Sequence, residues 1–185
     1  MTGVQTCALP ISERIVSGRQ VHGRELAFHD APTGSLPEVD GHVLRAAEPV
    51  GLVYTADCLP VALAGPGGAA ILHCGWRGLA AGIVAVGVEA VGATHAAIGP
   101  GIGACCYEVG DEVLGAFDGL GDGIASGRML DLPEVARRLL RGAGVEQVDS
   151  AGLCTRCEDE LFFSHRRDGG PGRQAGLVWL AAEAA

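Results

Sequence analysis

Two short apolar runs, residues 59–64 (LPVALA) and 69–73 (AAILH), are separated by Gly65-Pro66-Gly67-Gly68. Such a turn between two strand-length runs predicts an antiparallel hairpin. If Ala64 pairs with Ala69, Pro60 lies opposite His73 and Cys58 lies opposite Gly75. Residues two apart on a strand share a face. Cys58 and His73 then project from one side as diagonal neighbours, with Cα atoms about 7–8 Å apart. A slip of one residue would undo the arrangement.

The remaining punctuation builds outward from that hairpin. A strand is expected around residues 14–17, then the polar turn Gly18-Arg19-Gln20, then His22. Residues 29–36 read as a loop rich in Pro, Gly and Asp. Residues 50–55 form a continuous apolar run, the mark of a buried strand. Leu79, Ile83, Val86 and Ala90 repeat at helical spacing through residues 78–91. A short strand is expected at 96–98, a helix at 112–117 capped by Asp111, and a helix at 133–141 opened by Asp131 and closed by Gly142. Final strands are expected at 145–148 and 176–180. A hairpin together with separated helices indicates an α+β fold rather than a strict βαβ repeat. No repeat or linker divides residues 13–185, which are expected to form one domain. Residues 1–12 read MTGVQTCALPIS, and 4–12 match the translation of a common sequencing-library adapter. They are expected to be foreign to the protein, so Cys7 is set aside.

Composition narrows the classes of function. Lys and Arg number 13 against 22 Asp and Glu, a net charge of −9. An acidic surface repels phosphate backbones, so nucleic acid is not an expected partner. No apolar run reaches the roughly 20 residues of a membrane span, and no secretory leader is visible. The cysteine count is seven, an odd number, with Cys105 and Cys106 adjacent. Reduced thiols in the cytoplasm are the expected state.

Several residues carry chemistry. His22, Cys58 and His73 make a mixed nitrogen and sulfur set suited to zinc or copper. Three protein ligands leave one coordination position open, as catalytic sites require. Cys58 and His73, with Asp57 nearby, read equally well as a nucleophile and its base. The two readings compete, because a metal-bound thiolate is a poorer nucleophile. Cys154-Thr155-Arg156-Cys157 is a CxxC, but Cys105-Cys106 is a poor second pair for a structural zinc. A thioredoxin-like motif would lie nearer the start of the chain, so these thiols read as incidental. Arg166, Arg167 and Arg173 lie in a Gly-rich turn, where they form either an anion clamp or a solvated loop. Residues 75–78 open a helix whose free N–H groups favour an anion. Residues 98–103 are rich in glycine but lack both GxGxxG and a GK[ST] ending, which rules out a phosphate loop of either type.

Five motifs in order are more specific than any one of them. They are Gln20-Val21-His22-Gly23; Ala56-Asp57-Cys58-Leu59-Pro60-Val61; His73-Cys74-Gly75-Trp76-Arg77-Gly78; Ile98-Gly99-Pro100 continuing to Cys105-Cys106-Tyr107-Glu108-Val109-Gly110; and Phe162-Phe163-Ser164-His165-Arg166-Arg167-Asp168 followed by Gly172-Arg173. From about Arg19 onward the chain resembles the YfiH-like family, also called the laccase-domain or polyphenol oxidase family. That family includes the peptidoglycan editing factor and purine nucleoside phosphorylase members. The resemblance implies an α+β fold with mixed sheets sandwiched by helices, and His22, Cys58 and His73 as metal ligands. The expected metal is zinc, with copper as the alternative. Cys58 and His73 would act through the bound metal and its water. Gln20, Arg77, Tyr107, Arg166, Arg167 and Arg173 are the expected substrate contacts. The implied chemistry is phosphorolysis of adenosine, inosine and methylthioadenosine, and deamination of adenosine, by a monomer using small-molecule nucleosides and phosphate. The alternatives are a copper-dependent oxidoreductase acting on phenols and a non-catalytic accessory protein of peptidoglycan editing. Two departures stand out. Position 74 is Cys where the family usually has Ala, and the family's N-terminal segment, rich in Arg and Gly, is replaced by residues 1–12.

Overall fold

In the computed structural model, which describes residues 11–33 and 37–181, the hairpin takes the expected register: Ala64 pairs with Ala69 and Pro60 with His73. The turn is tighter than expected, since Gly65 pairs with Gly68. The chain runs through α1 (Ile11–Arg14), β1 (Ile15–Val16), β2 (Leu26–His29), β3 (Gly41–Leu44), β4 (Val50–Thr55), β5 (Leu59–Gly65) and β6 (Gly68–Cys74). It continues through α2 (Trp76–Ala81), α3 (Ile83–Val91), β7 (His95–Ile98), α4 (Asp111–Gly115), β8 (Ala125–Ser126) and β9 (Met129–Leu130). It ends with α5 (Leu132–Gly142), β10 (Gln147–Ser150), α6 (His165–Asp168) and β11 (Gln174–Trp179). Of the stretch expected to be foreign, residues 1–10, Cys7 included, lie outside the described residues.

The hairpin is the centre of a six-stranded sheet ordered β10-β7-β5-β6-β3-β2, which mixes parallel and antiparallel pairs. A three-stranded sheet, β1-β4-β11, is also mixed. The class is α+β, as expected. Strand alternation sorts the side chains of β6 between two layers. Leu72 turns towards α3, where a Cβ on Gly87 would meet it at 2.8 Å. Ile71 turns the other way, against Gly51 of β4 and Gly176 of β11. The large sheet therefore lies between α2, α3 and α5 on one face and the small sheet on the other. The helix side carries the main core, with Leu59, Leu63, Leu72, Ile83, Leu132 and Leu140 buried. Each such side chain contributes about 1.5–3 kcal/mol of burial.

Three local expectations change. The single helix expected over 78–91 is two, broken at Gly82, whose φ of 92° ends α2 before α3 begins. Asp111 lies inside α4 rather than capping it, because extended Gly110 takes the cap position and the Asp111 side chain lies 3.3 Å from Arg128. The last strand before α6 is β10, two residues later than expected, where parallel pairing with β7 sets its start at Gln147. By contrast Asp131 does cap α5, its Oδ1 accepting the Glu134 N–H at 3.0 Å. No described helix is long and apolar enough to cross a membrane.

Candidate metal centre

Three chain segments meet where the two sheets join. His22 lies in the loop after β1, Cys58 in the link between β4 and β5, and His73 near the end of β6. One ligand atom from each residue lies within 4.8 Å of the other two. The imidazole rings stand edge to face, with centroids 4.7 Å apart. His73 is buried, Cys58 half-buried, and His22 exposed. Gly75 makes room for them, since a Cβ there would stand 2.9 Å from Cys58 Sγ and 3.1 Å from His22 Cδ2.

Asp40 is the organiser that sequence reasoning missed. It is fully buried just before β3, and its Oδ1 lies 2.8 Å from His73 Nδ1. A carboxylate only accepts, so the Nδ1 proton points to Asp40 and Nε2 is left for the cluster. The same carboxylate accepts the backbone N–H groups of Val21 at 3.1 Å, His22 at 2.9 Å and Gly23 at 2.7 Å. Those bonds hold His22 at φ 61°, a left-handed conformation uncommon for a residue with a Cβ. Burial pushes the Asp40 carboxyl up, but the His73 bond and the three backbone donors outweigh it and hold it at about 2. Burial works against protonated His73, yet the bonds to Asp40 and Cys58 raise it to about 9. Burial likewise raises the Cys58 thiol, and the two imidazoles bring it down to about 7. The cluster thus favours a thiolate, the form that binds metal.

Asp57, next to Cys58, has a different task. It too takes a left-handed backbone, with φ 86°. Its Oδ1 accepts the Thr155 hydroxyl at 2.7 Å, its Oδ2 accepts the Arg166 N–H at 2.7 Å, and its carbonyl accepts the Ile102 N–H at 2.8 Å. Both carboxylate oxygens are used in holding loops, so the acid that orients His73 is Asp40.

The cluster opens into a cavity of about 690 Å³. Gln20, Arg77, Tyr107, Arg166 and Arg173 line it, together with Trp76 and His165, which sequence reasoning did not single out. Gln20 exchanges two bonds of 2.7 Å with the backbone of Tyr54. The Arg77 guanidinium lies 4.5 Å from the Trp76 ring centroid and that of Arg166 5.3 Å from Tyr107. Arg173 bonds the carbonyls of Gly170 and Gly172. Arg167 is not in the lining. Its guanidinium donates to the carbonyls of Thr155, Arg156 and Phe162, tying loops together. The helix start at residues 75–78 leads only the six residues of α2, too short for a strong dipole.

A family profile described as multi-copper polyphenol oxidoreductase laccase matches residues 4–181. The chain belongs to this laccase family. Among the laccase family's curated proteins, a Xylella fastidiosa purine nucleoside phosphorylase is 38% identical over 183 residues, covering 88% of this chain and 70% of its own. The Escherichia coli purine nucleoside phosphorylase YfiH is 36% identical over 175 residues, covering 87% and 72%. The solved Neisseria meningitidis protein NMB0706 superposes with a TM-score of 0.84 at 34% identity, covering 93% of this chain and 77% of its own.

The laccase-family name implies a metal, and the donor chemistry here fits one. Two imidazole nitrogens and a thiolate converge, and Asp40 supplies the outer carboxylate that orients a metal-binding histidine. A metal must displace protons to bind such a set. Below pH about 9 it competes with the proton on His73, and below about 7 also with the proton on Cys58. Zinc affinity should therefore fall about tenfold per pH unit just below 9 and more steeply below 7. Competition titrations with a zinc-sensing dye from pH 6 to 9 read this directly, and a flat profile contradicts it.

Proposed function

We propose that this chain is a zinc-dependent purine nucleoside phosphorylase. The observation that carries the reading is a His-Cys-His cluster in the wall of a 690 Å³ cavity lined by three arginines. Curated relatives named purine nucleoside phosphorylase support it. A zinc ion held by His22, Cys58 and His73 supplies Lewis-acid polarisation of the group it touches. The rest falls to the chain. Arg77, Arg166 and Arg173 hold inorganic phosphate and its charge beside the sugar. Trp76 and Tyr107 offer aromatic faces to the purine. Burial and the nearby Cys58 thiolate push Tyr107 up to about 12, so its hydroxyl stays a hydrogen-bond donor to the base. Phosphate oxygen then bonds to C1′ of the nucleoside as the bond from C1′ to the purine nitrogen breaks. The products are the free base, which takes up a proton, and the sugar 1-phosphate: ribose 1-phosphate from adenosine or inosine, 5-methylthioribose 1-phosphate from methylthioadenosine. The substrates proposed are adenosine, inosine and methylthioadenosine.

A second activity rests on the donor count. Three protein ligands leave a place for a fourth partner, the arrangement of hydrolytic sites. Adenosine deamination, in which water adds at C6 and ammonia leaves, is therefore proposed beside phosphorolysis. A copper oxidase reading is weaker. Of six histidines, only His22 and His73 reach the cluster, while His29 and His42 bond each other at 3.0 Å elsewhere. Among the described residues, no methionine lines the cavity to serve as the axial ligand of a mononuclear copper site. The proposed setting is the cytoplasm, whose reducing poise keeps Cys58 a thiol.

The test is product analysis of zinc-loaded protein given each nucleoside with and without phosphate. Phosphate-dependent release of free base and the matching sugar 1-phosphate is expected. Oxygen uptake with phenols and no base release would replace this reading with the oxidase, and inertness in both assays with an accessory role.

A further inference from the structure

The four cysteines read from sequence as incidental come together. Cys105, Cys106, Cys154 and Cys157 each place Sγ within 4.8 Å of the others. Cys157 Sγ lies 3.6 Å from Cys105 Sγ and 3.4 Å from Cys106 Sγ. Thiolates around one tetrahedral zinc, with bonds of about 2.3 Å, stand about 3.8 Å apart. We propose that these four thiolates hold a second, structural zinc ion, separate from the His22-Cys58-His73 cluster and closed to substrate.

Backbone geometry supports the assignment. Residues 154–157 form one tight turn, with the N–H groups of Cys157 and Glu158 donating to the Cys154 carbonyl at 3.1 and 3.0 Å. Residues 103–107 form a second turn, with the N–H groups of Cys106 and Tyr107 donating to the Gly103 carbonyl at 3.0 and 3.1 Å. The turns are bridged, since Thr155 N–H donates to the Gly101 carbonyl at 3.0 Å and Gly103 N–H donates to Cys154 Sγ at 3.3 Å. Donors aimed at sulfur stabilise a thiolate. Four thiolates and one Zn²⁺ leave a charge of −2, and the Arg156 side chain beside Cys106 offsets part of it. Four sulfur ligands complete a tetrahedron, as structural sites do. The adjacency of Cys105 and Cys106 is no obstacle, because both of their sulfurs come within 3.6 Å of Cys157 Sγ.

The position gives the ion a purpose. One clamped arm continues into Tyr107 of the cavity. The other carries buried Thr155, whose hydroxyl bonds Asp57 beside Cys58. The ion would therefore brace the wall of the cavity from outside.

Elemental analysis of protein purified with zinc under reducing conditions tests this. Two zinc per chain are expected in the parent, and one in either Cys157→Ser or Cys58→Ala. The double variant should hold none. Cys157 is exposed, so its serine form should fold, and circular dichroism checks that it has. Cobalt substitution adds a second readout. Thiolate-to-cobalt absorption should be intense in Cys58→Ala, which keeps the four-sulfur site, and weak in Cys157→Ser. An unchanged zinc count in Cys157→Ser overturns the proposal. So does iron in place of zinc, or a mass deficit showing disulfides among these cysteines. If Cys58→Ala still holds two zinc ions, the reading of the first cluster fails instead, so the two failures are told apart.

Discussion

Cys58→Ala should lose nucleoside phosphorolysis and the metal of the His22-Cys58-His73 cluster together, while the fold survives. The thiolate is the softest and only anionic donor of the three, and the two imidazoles, working against burial, have already lowered it to about 7. Without it two neutral nitrogens remain, one of them on an exposed residue. Zinc affinity should fall on the order of 10³-fold or more, exceeding the 10–100-fold that outer-shell residues contribute. Base release should drop to background. The structural cost is small, since half-buried Cys58 lies outside the hydrophobic core cluster, and about 1 kcal/mol is expected. The measurements are zinc titration, thermal melting and base release on one preparation. The same variant separates the two chemistries open to Cys58 and His73. If the thiol were a nucleophile, Cys58→Ala would keep its metal and lose only turnover. Metal and activity both retained would remove Cys58 from the site.

Asp40→Asn should show the next largest effect, through a residue expected to touch neither metal nor substrate. The carboxylate accepts four N–H groups within 3.1 Å, one from His73 and three from residues 21–23. An Asn side chain has one oxygen and turns an NH₂ towards donors, so the two bonds made by one carboxylate oxygen are replaced by a clash of donors. Losing a buried hydrogen bond to a charged acceptor costs about 1.5–3 kcal/mol. Denaturant unfolding should show a loss of that order. Zinc affinity should fall about 10–100-fold, because His73 loses the partner that fixes its tautomer and His22 loses its loop. A merely structural role would lower stability and leave the pH profile of zinc binding alone. Here His73 should protonate less readily, moving the upper break in that profile below 9. Equal zinc affinity and an unmoved break would discount the orienting role.

What could be read from sequence followed the range of the interactions. The hairpin register was legible because it depends on a short turn, here Pro66-Gly67 between paired Gly65 and Gly68, and two short runs. It was enough to put Cys58 and His73 on one face. The Asp131 cap and the strand Val50–Thr55 are equally local. β2 and β3 were not visible. Leu26–His29 carries no strict alternation, and Gly41–Leu44 is a four-residue strand buried on both faces. Asp40 went unnoticed for the same reason, since its partners lie 17 to 33 residues away. The family resemblance supplied His22, whose link to the cluster depends on that unseen carboxylate. The closeness of the two cysteine pairs was not legible, because adjacency along the chain says nothing of geometry across the fold. The bridge between Gly101 and Cys154 brings them together. Arg167 shows the opposite case, a motif residue whose guanidinium binds carbonyls.

The link that carries the chain from β4 to β5 is also the link that carries Cys58. Its histidine partners hang from different layers, His22 beside the small sheet and His73 in the large one. An ion gripped by all three is a rivet through two plates. Sliding one plate by a single residue would move a ligand by about 3.3 Å and break the grip. With such an ion bound, turnover and the alignment of the layers would be fastened at one point, and neither could drift without the other.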